Sequence, residues 1–303
     1  PGGTEANIQA LWVYRNYFRN EFQARMDEIV ILASEDTHYS IAKGSNLLGI
    51  DWLSIPVDFE TRQIDPNVLI QHIEEAKNQS KKYFITVINM GTTMFGSVDI
   101  FETFAEALTS TSVHFKIHVD GAYGGFVFPF LNPNHDLHFG NPLISSITID
   151  AHKMLQAPYG TGVFLCRKGL IEHVLTQEAA YVEGMDLTLC GSRSGANAVA
   201  VWMILTTYGP NGWFEKVKVL QMRTDWLCEK LKAMHIEFFR EPAMNLVTIK
   251  AQYIPDDLAL KYDLVPQKHD VSNQWYKIVL MEHVEIEHLE RFLEELNQIT
   301  VDV

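Results

Sequence analysis

Beyond a Pro1-Gly2-Gly3 start, the apolar residues Ile8, Leu11, Trp12, Tyr14 and Phe18 recur at mainly helical spacing. The pattern then alternates. Glu28–Leu32 reads as a short buried strand, His38–Leu48 as a helix and Trp52–Val57 as the next strand. Asp65-Pro66 opens a helix through about Lys77, with Asp as N-cap and Pro in the first helical position. Tyr83–Ile88 is a strand, Asp99–Leu108 a helix, and Phe115–Val119, Ser146–Ile149 and Gly162–Cys166 are further strands. Strands that are nearly all apolar, alternating with helices, predict an α/β architecture with a mainly parallel sheet covered on both faces. From about residue 206 the pattern changes. A helix over Trp213–Lys232, strands at Leu246–Lys250 and Trp275–Leu280 and a closing helix over Ile286–Leu296 predict a smaller α+β domain. The expected division is therefore 1–205 and 206–303.

Composition narrows this picture. The 303 residues are 47% hydrophobic and 20% charged, ordinary for a globular chain with a sizeable core. A formal charge of −14 argues against a partner made of nucleic-acid phosphates or anionic lipid. It leaves room for a small anionic ligand held by a local cluster of donors. Cys166, Cys190 and Cys228 form no zinc spacing and no disulfide framework, so a reducing, cytoplasmic setting is expected. No apolar run is long enough to predict a transmembrane helix. A Gly-Gly-Thr loop leading straight into a helix reads as the middle of a longer chain.

In a parallel sheet, ligands collect at the carboxyl ends of the strands, and four features fall there. Gly2-Gly3-Thr4 opens a helix, where free N–H groups and a hydroxyl can cradle an anion. His38 follows the polar turn S-E-D-T. Asp120 closes F-K-I-H-V and precedes G-A-Y-G-G. His152-Lys153 ends I-T-I-D-A. Taken singly, each has a plain structural reading: a turn, a surface or capping histidine, a helix cap, a solvated lysine. Together they supply what pyridoxal phosphate requires: a phosphate cradle, a stacking imidazole, a carboxylate for the ring nitrogen and an amine that holds the aldehyde as an imine.

The segments G-G-T-E-A-N, D-T-H-Y-S, G-T-T-M-F-G-S-V-D, H-V-D-G-A-Y-G-G, I-D-A-H-K-M and G-S-R-S-G-A resemble, in order, those of the group II pyridoxal-phosphate decarboxylases. H-V-D-G-A-Y-G-G-F-V-F-P-F, T-L-C-G-S-R-S-G-A-N-A-V-A-V-W and K-I-V-L-M-E-H-V look most like the archaeal tyrosine/aspartate branch. The resemblance implies the fold-type I architecture with a seven-stranded type of sheet, a homodimer, and an N-terminal segment ahead of residue 1. It implies decarboxylation of an L-amino acid such as tyrosine, aspartate, glutamate or histidine. It carries Gly3, Thr4 and His152 to the phosphate, His38 and Ala122 to the two faces of the ring, Asp120 to the ring nitrogen and Lys153 to the aldehyde. Thr93 and Asp99 match residues that support the ring, and Arg193 matches an arginine near the site, a candidate for the substrate carboxylate. Lys153, His38 and Asp120 are the expected catalytic residues.

The pattern departs from the animal enzymes in one place. Their mobile loop carries a tyrosine that protonates the product, whereas the stretch between Arg167 and Arg193 has none at the matching position; Tyr181 aligns with a preceding segment. His38 is then the fallback proton donor. Three other readings are open at this level. Another fold-type I enzyme, an aminotransferase or a carbon–carbon or carbon–sulfur lyase, shares most of these parts. A metal-dependent hydrolase would use His118 and Asp120 with His114, His135, His138 or His152. A binding module would keep the fold without the chemistry.

Overall fold

The computed structural model describes residues 2–175 and 185–301, so Tyr181 lies outside the described residues. Helix α1 (Gly3–Phe22) is followed by β1 (Ile29–Ser34), α2 (Ser40–Leu48), β2 (Asp51–Ile55), α3 (Pro66–Asn78), β3 (Tyr83–Asn89), α4 (Phe101–Ser110) and β4 (His114–Asp120). The single turn α5 (Phe128–Leu131), β5 (Ile144–Asp150) and β6 (Gly162–Cys166) complete the first sheet region. The strands lie in the order β2-β1-β3-β4-β5-β6. β2 to β5 are parallel to their neighbours, and β6 returns antiparallel along β5. The sheet expected to be of a seven-stranded type thus has six strands among the described residues.

Every residue of β1 and β3 is buried. Successive side chains point to opposite faces, which is why these strands read as continuous apolar runs. Val30, Leu32, Phe84 and Ile88 pack towards Leu69 and Ile73 of α3 and Phe104 and Leu108 of α4. Ile29, Ile31, Ile85 and Val87 pack towards Leu11, Tyr14 and Phe18 of α1. The chain leaves β1 for β2 on one side and returns to β3 on the other. This reversal opens a crevice at the carboxyl ends of the strands, where Ser34, Asn89, Asp120 and Asp150 are the last strand residues.

Expected and observed boundaries differ by a few residues in most elements, with one informative case. The helix expected from Asp99 starts at Phe101. The Asp99 carboxylate instead turns back to accept from the Asn89 N–H at 2.7 Å and its side-chain amide at 2.8 Å, which holds residue 99 outside the helix.

The remainder begins with α6 (Gly195–Ala233), which is helical on both sides of a break at Gly209-Pro210. Gly209 takes φ 61° and ψ −179°, a conformation that strains any other residue, and Pro210 has no N–H to continue the ladder. Then come β7 (Phe238–Phe239), β8 (Leu246–Lys250), α7 (Asp256–Lys261), β9 (Val265–Pro266), β10 (Trp275–Val279) and α8 (Ile286–Val301). The four strands form an antiparallel sheet ordered β7-β8-β10-β9. Leu227 and Leu231 of α6, Val247, Ile249 and Ile278 of the sheet, and Phe292 and Leu296 of α8 share its core. The two-residue strands and the short α7 carry too little periodicity to be read from sequence.

A line of buried polar groups fixes α1 on the first sheet. The Tyr14 hydroxyl donates to Ser146 Oγ, which meets His118 Nδ1 at 2.7 Å. His118 Nε2 lies 3.1 Å from Asn7 Oδ1. His118 is fully buried, and loss of solvation pushes its imidazole down to about 4, against a weaker opposing pull from Asp120. The ring is therefore neutral in the folded protein at ordinary pH. Between about 4 and 6.5 the unfolded chain binds a proton here that the native state refuses, so this group's stabilisation is lost as pH falls through that window. Asp99, whose burial pushes it up to about 7 from 3.8, acts in the opposite sense: its contribution is complete below 3.8 and lost as pH rises towards 7. The comparison that isolates the histidine is with His118→Gln. Between pH 7 and pH 4 the wild type should lose about 3 kcal/mol more stability than the variant in urea unfolding. Parallel stability curves for the two would refute it.

Candidate active site

Five of the predicted residues meet in one cavity at the crevice: His38, Thr93, Asp120, Ala122 and Lys153. Asp120 is the last residue of β4, and the other four are delivered by the loops that follow strands: His38 after β1, Thr93 after β3, Ala122 after β4 and Lys153 after β5. The second sheet supplies the opposite wall through Leu246, Lys277 and Val279.

Asp120 is buried, and both its oxygens are engaged. Oδ2 accepts from Asn7 Nδ2 at 2.7 Å and Oδ1 from the Ala122 N–H at 3.1 Å. Among the described residues no lysine or arginine forms an ion pair with it, so a buried carboxylate faces the cavity without a positive partner. His38 Nδ1 meets Ser40 Oγ at 2.8 Å and accepts from the Ser40 N–H at 3.3 Å. The neutral ring accordingly carries its proton on Nε2. Burial lowers the His38 imidazole, with Asp120 pulling the other way and Lys153 adding to the fall.

Gly2, Gly3, Thr4 and His152 gather beside this cavity. The Gly3 N–H donates to Asp150 Oδ2 at 2.8 Å, and Asp150 Oδ1 lies 2.7 Å from His152 Nδ1. A Cβ on Gly2 would come within 2.6 Å of the His152 ring, and one on Gly3 within 3.1 Å of Ala122 Cβ. The glycines of this motif thus let the start of α1 close against the loops after β4 and β5. A carboxylate already occupies the Gly3 donor. Among the described residues, nothing accepts from the Thr4 N–H or hydroxyl.

Two predicted residues stand apart. Asp99 lies behind the cavity wall and reaches it only through Asn89, a wall residue whose amide also donates to Ser34 Oγ and accepts from Thr37 Oγ1. Arg193 is exposed and lines the neighbouring hollow with Gly2 and Thr161.

Four residues outside the predicted set matter here: Asn7, Asn89, Asp150 and Lys277. Asn7 and Asp150 sit inside the motifs G-G-T-E-A-N and I-D-A-H-K, so a signal was present. Lys277 left none. It belongs to β10 of the other sheet, and its Nζ reaches the Thr93 carbonyl at 2.8 Å. Desolvation, then the Lys153 ammonium, lowers its affinity for the proton. The histidines of the metal reading do not converge. Among the described residues no three His, Cys, Asp or Glu side chains form a cluster fit for an ion. His114 packs on Tyr83, and His135 and His138 on each other.

The residues fit pyridoxal phosphate on their own chemistry. An unpaired buried carboxylate suits a protonated pyridine nitrogen, a lysine amine shares the cavity with it, and an imidazole and a small alanine line the space between. Comparison with known proteins agrees. Residues 1–252 match the pyridoxal-dependent decarboxylase conserved domain. The chain is 54% identical over 297 residues to a tryptophan decarboxylase of Clostridium sporogenes, covering 98% of this chain and 71% of that one. It is 33% identical over 303 residues to a probable L-tyrosine/L-aspartate decarboxylase of Methanocella arvoryzae, covering 98% and 76%. The expected likeness to the archaeal branch above all others is therefore corrected: the clostridial enzyme is much more similar. Among solved structures, an L-methionine decarboxylase from Streptomyces superposes with a TM-score of 0.83 at 22% identity, covering 98% of this chain and 76% of that one. A sphingosine-1-phosphate lyase from Burkholderia pseudomallei gives 0.83 at 20% identity, covering 99% and 69%. Both place the architecture among fold-type I enzymes. The chain belongs to the group II pyridoxal-dependent decarboxylases and is a pyridoxal-phosphate-dependent amino acid decarboxylase.

Proposed function

We propose that the substrate is an aromatic L-amino acid, tryptophan first. The 54% identity to the clostridial tryptophan decarboxylase, along almost the whole chain, carries this reading. The apolar surface that Tyr123, Leu246 and Val279 present to the cavity supports it. One observation favours a second reading, an acidic substrate such as aspartate: Lys277 brings a second amine into the cavity beside Lys153. Carbon dioxide release from a panel of L-amino acids by the purified protein separates the two. Tryptophan should give the highest kcat/KM, at least about tenfold above aspartate, the scale set by burying an apolar side chain rather than a charge. A preference for aspartate would reverse the assignment.

In the same reading Lys153 holds the cofactor's aldehyde, Asp120 pairs with its ring nitrogen, and His38 and Ala122 flank the ring. Thr4 and His152 hold the phosphate beside Gly3, whose own N–H is committed to Asp150 and which contributes by having no side chain, while Thr93 and Asp99 support the ring's surroundings. Arg193 approaches the substrate carboxylate from the neighbouring hollow. Bound there, pyridoxal phosphate supplies a ring that accepts the electron pair left on the substrate when carbon dioxide departs. In this reading His38 delivers from Nε2 the proton that replaces the lost carboxylate only after Nδ1 has taken one up, since the neutral ring alone would be left as an imidazolate. Residues 1–205 form the cofactor-binding part of the chain and 206–303 the smaller domain. Lys153→Ala should leave the fold intact and abolish turnover. Asp120→Asn keeps the shape and removes the charge, so turnover should fall by at least about tenfold, more than cofactor occupancy does. An Asn variant with normal turnover would remove Asp120 from the mechanism.

The reading includes a homodimer. The first part of α6 leaves Val199, Trp202, Met203 and Tyr208 exposed, with Trp202 65% accessible. Such a row of large apolar residues on one helix suits burial against a second copy, and closed two-fold pairs are the commonest homo-oligomers. Light scattering should give twice the chain mass, and Trp202→Glu should shift it towards the monomer. A fully active wild-type monomer would refute the pairing.

A further inference from the structure

The crevice holds a side chain that no predicted role absorbs. Asn7, in the second turn of α1, is 1% exposed, and every polar atom of its amide is engaged. Its Nδ2 donates to Asp120 Oδ2 at 2.7 Å and to Ser40 Oγ at 3.0 Å. Its Oδ1 meets His118 Nε2 at 3.1 Å. The amide cannot be reversed, because that would turn its oxygen towards the Asp120 carboxylate.

The directions of the hydrogens back along the line to Tyr14 follow from that one orientation, and Thr148 Oγ1, 3.3 Å from the same His118 Nε2, then shares its hydrogen as a second acceptor. An amide oxygen only accepts, so His118 carries its proton on Nε2 and its Nδ1 accepts from Ser146 at 2.7 Å. Ser146 then accepts from the Tyr14 hydroxyl. Burial holds Tyr14 in its protonated form and His118 in its neutral one. Each hydrogen in the series Tyr14, Ser146, His118, Asn7 therefore points towards Asp120. The second amide hydrogen fills an acceptor site on Ser40 Oγ, which leaves the Ser40 hydroxyl hydrogen to reach His38 Nδ1 at 2.8 Å.

We propose that Asn7 is a positioning residue that orients both Asp120 and His38, acting as the fixed end of a one-way series of donors that starts at Tyr14. The bland alternative is a polar group merely satisfied within the core. Packing alone does not call for it: a buried amide, imidazole, hydroxyl and phenol in series are costly to desolvate, and an apolar set would fill the same volume. The series also ends on the two residues that flank the cavity rather than closing on itself. The effect on the cofactor rests on the role given to Asp120 above. The hydrogen directions do not.

Nitrogen-15 NMR of histidine-labelled full-length protein tests those directions without reference to activity, with His118→Gln assigning the signal. His118 should be protonated on Nε2 alone, and its tautomer should change in Asn7→Leu. A ring protonated on Nδ1 in the wild type overturns the proposal. Asn7→Leu should weaken cofactor binding by about tenfold, the scale of one lost bond to a charged group, and shift the pH midpoint of the bound cofactor's visible absorption. Wild-type affinity with an unmoved midpoint overturns it as well. Should Asn7→Leu fail to fold, the His118 pair decides. Gln can still donate to Asn7 Oδ1 and should preserve the midpoint, whereas Phe cannot and should shift it; equal behaviour of the two overturns the proposal. Asp120→Asn separates this from the broader reading. If that change leaves the cofactor's absorption untouched, the role of Asp120 fails, and the tautomer of His118 still judges the series by itself.

Discussion

The 2.7 Å bond from Asn7 to Asp120 joins the first helix to the end of a central strand, and the site depends on that junction. A parallel sheet brings strand ends together but leaves the side chains there free to rotate. Asp120 is fixed because the Ala122 N–H holds one oxygen from its own loop and Asn7 holds the other from outside the sheet. The same helix start is tied down a second time, where the Gly3 N–H meets Asp150. Two carboxylates at the ends of adjacent strands thus anchor one helix terminus, a placement that the positive end of a helix favours.

Most of the fold was legible because the central strands are buried on both faces. Ile29 to Ser34 and Tyr83 to Asn89 must be apolar nearly throughout, which gives an unmistakable run between helical segments. The edge strand Asp51–Ile55 was less clear, since its residues are mostly half-buried or exposed. Short elements of the second sheet, such as Val265–Pro266, leave no period to detect. The start of α4 was missed for a physical reason. Asp99 looks like a helix cap, yet its carboxylate is taken up by Asn89, ten positions earlier.

At the site, legibility followed sequence distance. His38, Asp120, Ala122 and Lys153 stand in compact motifs at or just beyond strand ends, where their chemistry could be inferred together. Asn7 and Asp150 were in plain view within such motifs, but a polar residue beside glycines carries no mark of what it will touch. Lys277 could not be found at all, because it enters the cavity from a strand of the other sheet whose register is set by its own partners. Arg193 shows the reverse case. It stands in a recognisable motif, while the geometry puts it in the hollow next door.

The distribution of charge around the cavity gives these placements a common sense. His118 is kept neutral by burial, and Asp99, raised to about 7, holds its proton over much of the acidic range. Groups one layer behind the wall therefore contribute hydrogen-bond direction with little charge of their own. The side chains that carry formal charge and line the cavity are Asp120, Lys153 and Lys277. In a poorly solvated cavity, field strength depends on how few charges compete and how firmly each is held. A carboxylate fixed by two donors, facing amines that come from a different loop and a different sheet, keeps opposite charges on separate supports. The carboxylate stays open to a positive group on a ligand, because no lysine among the described residues neutralises it first.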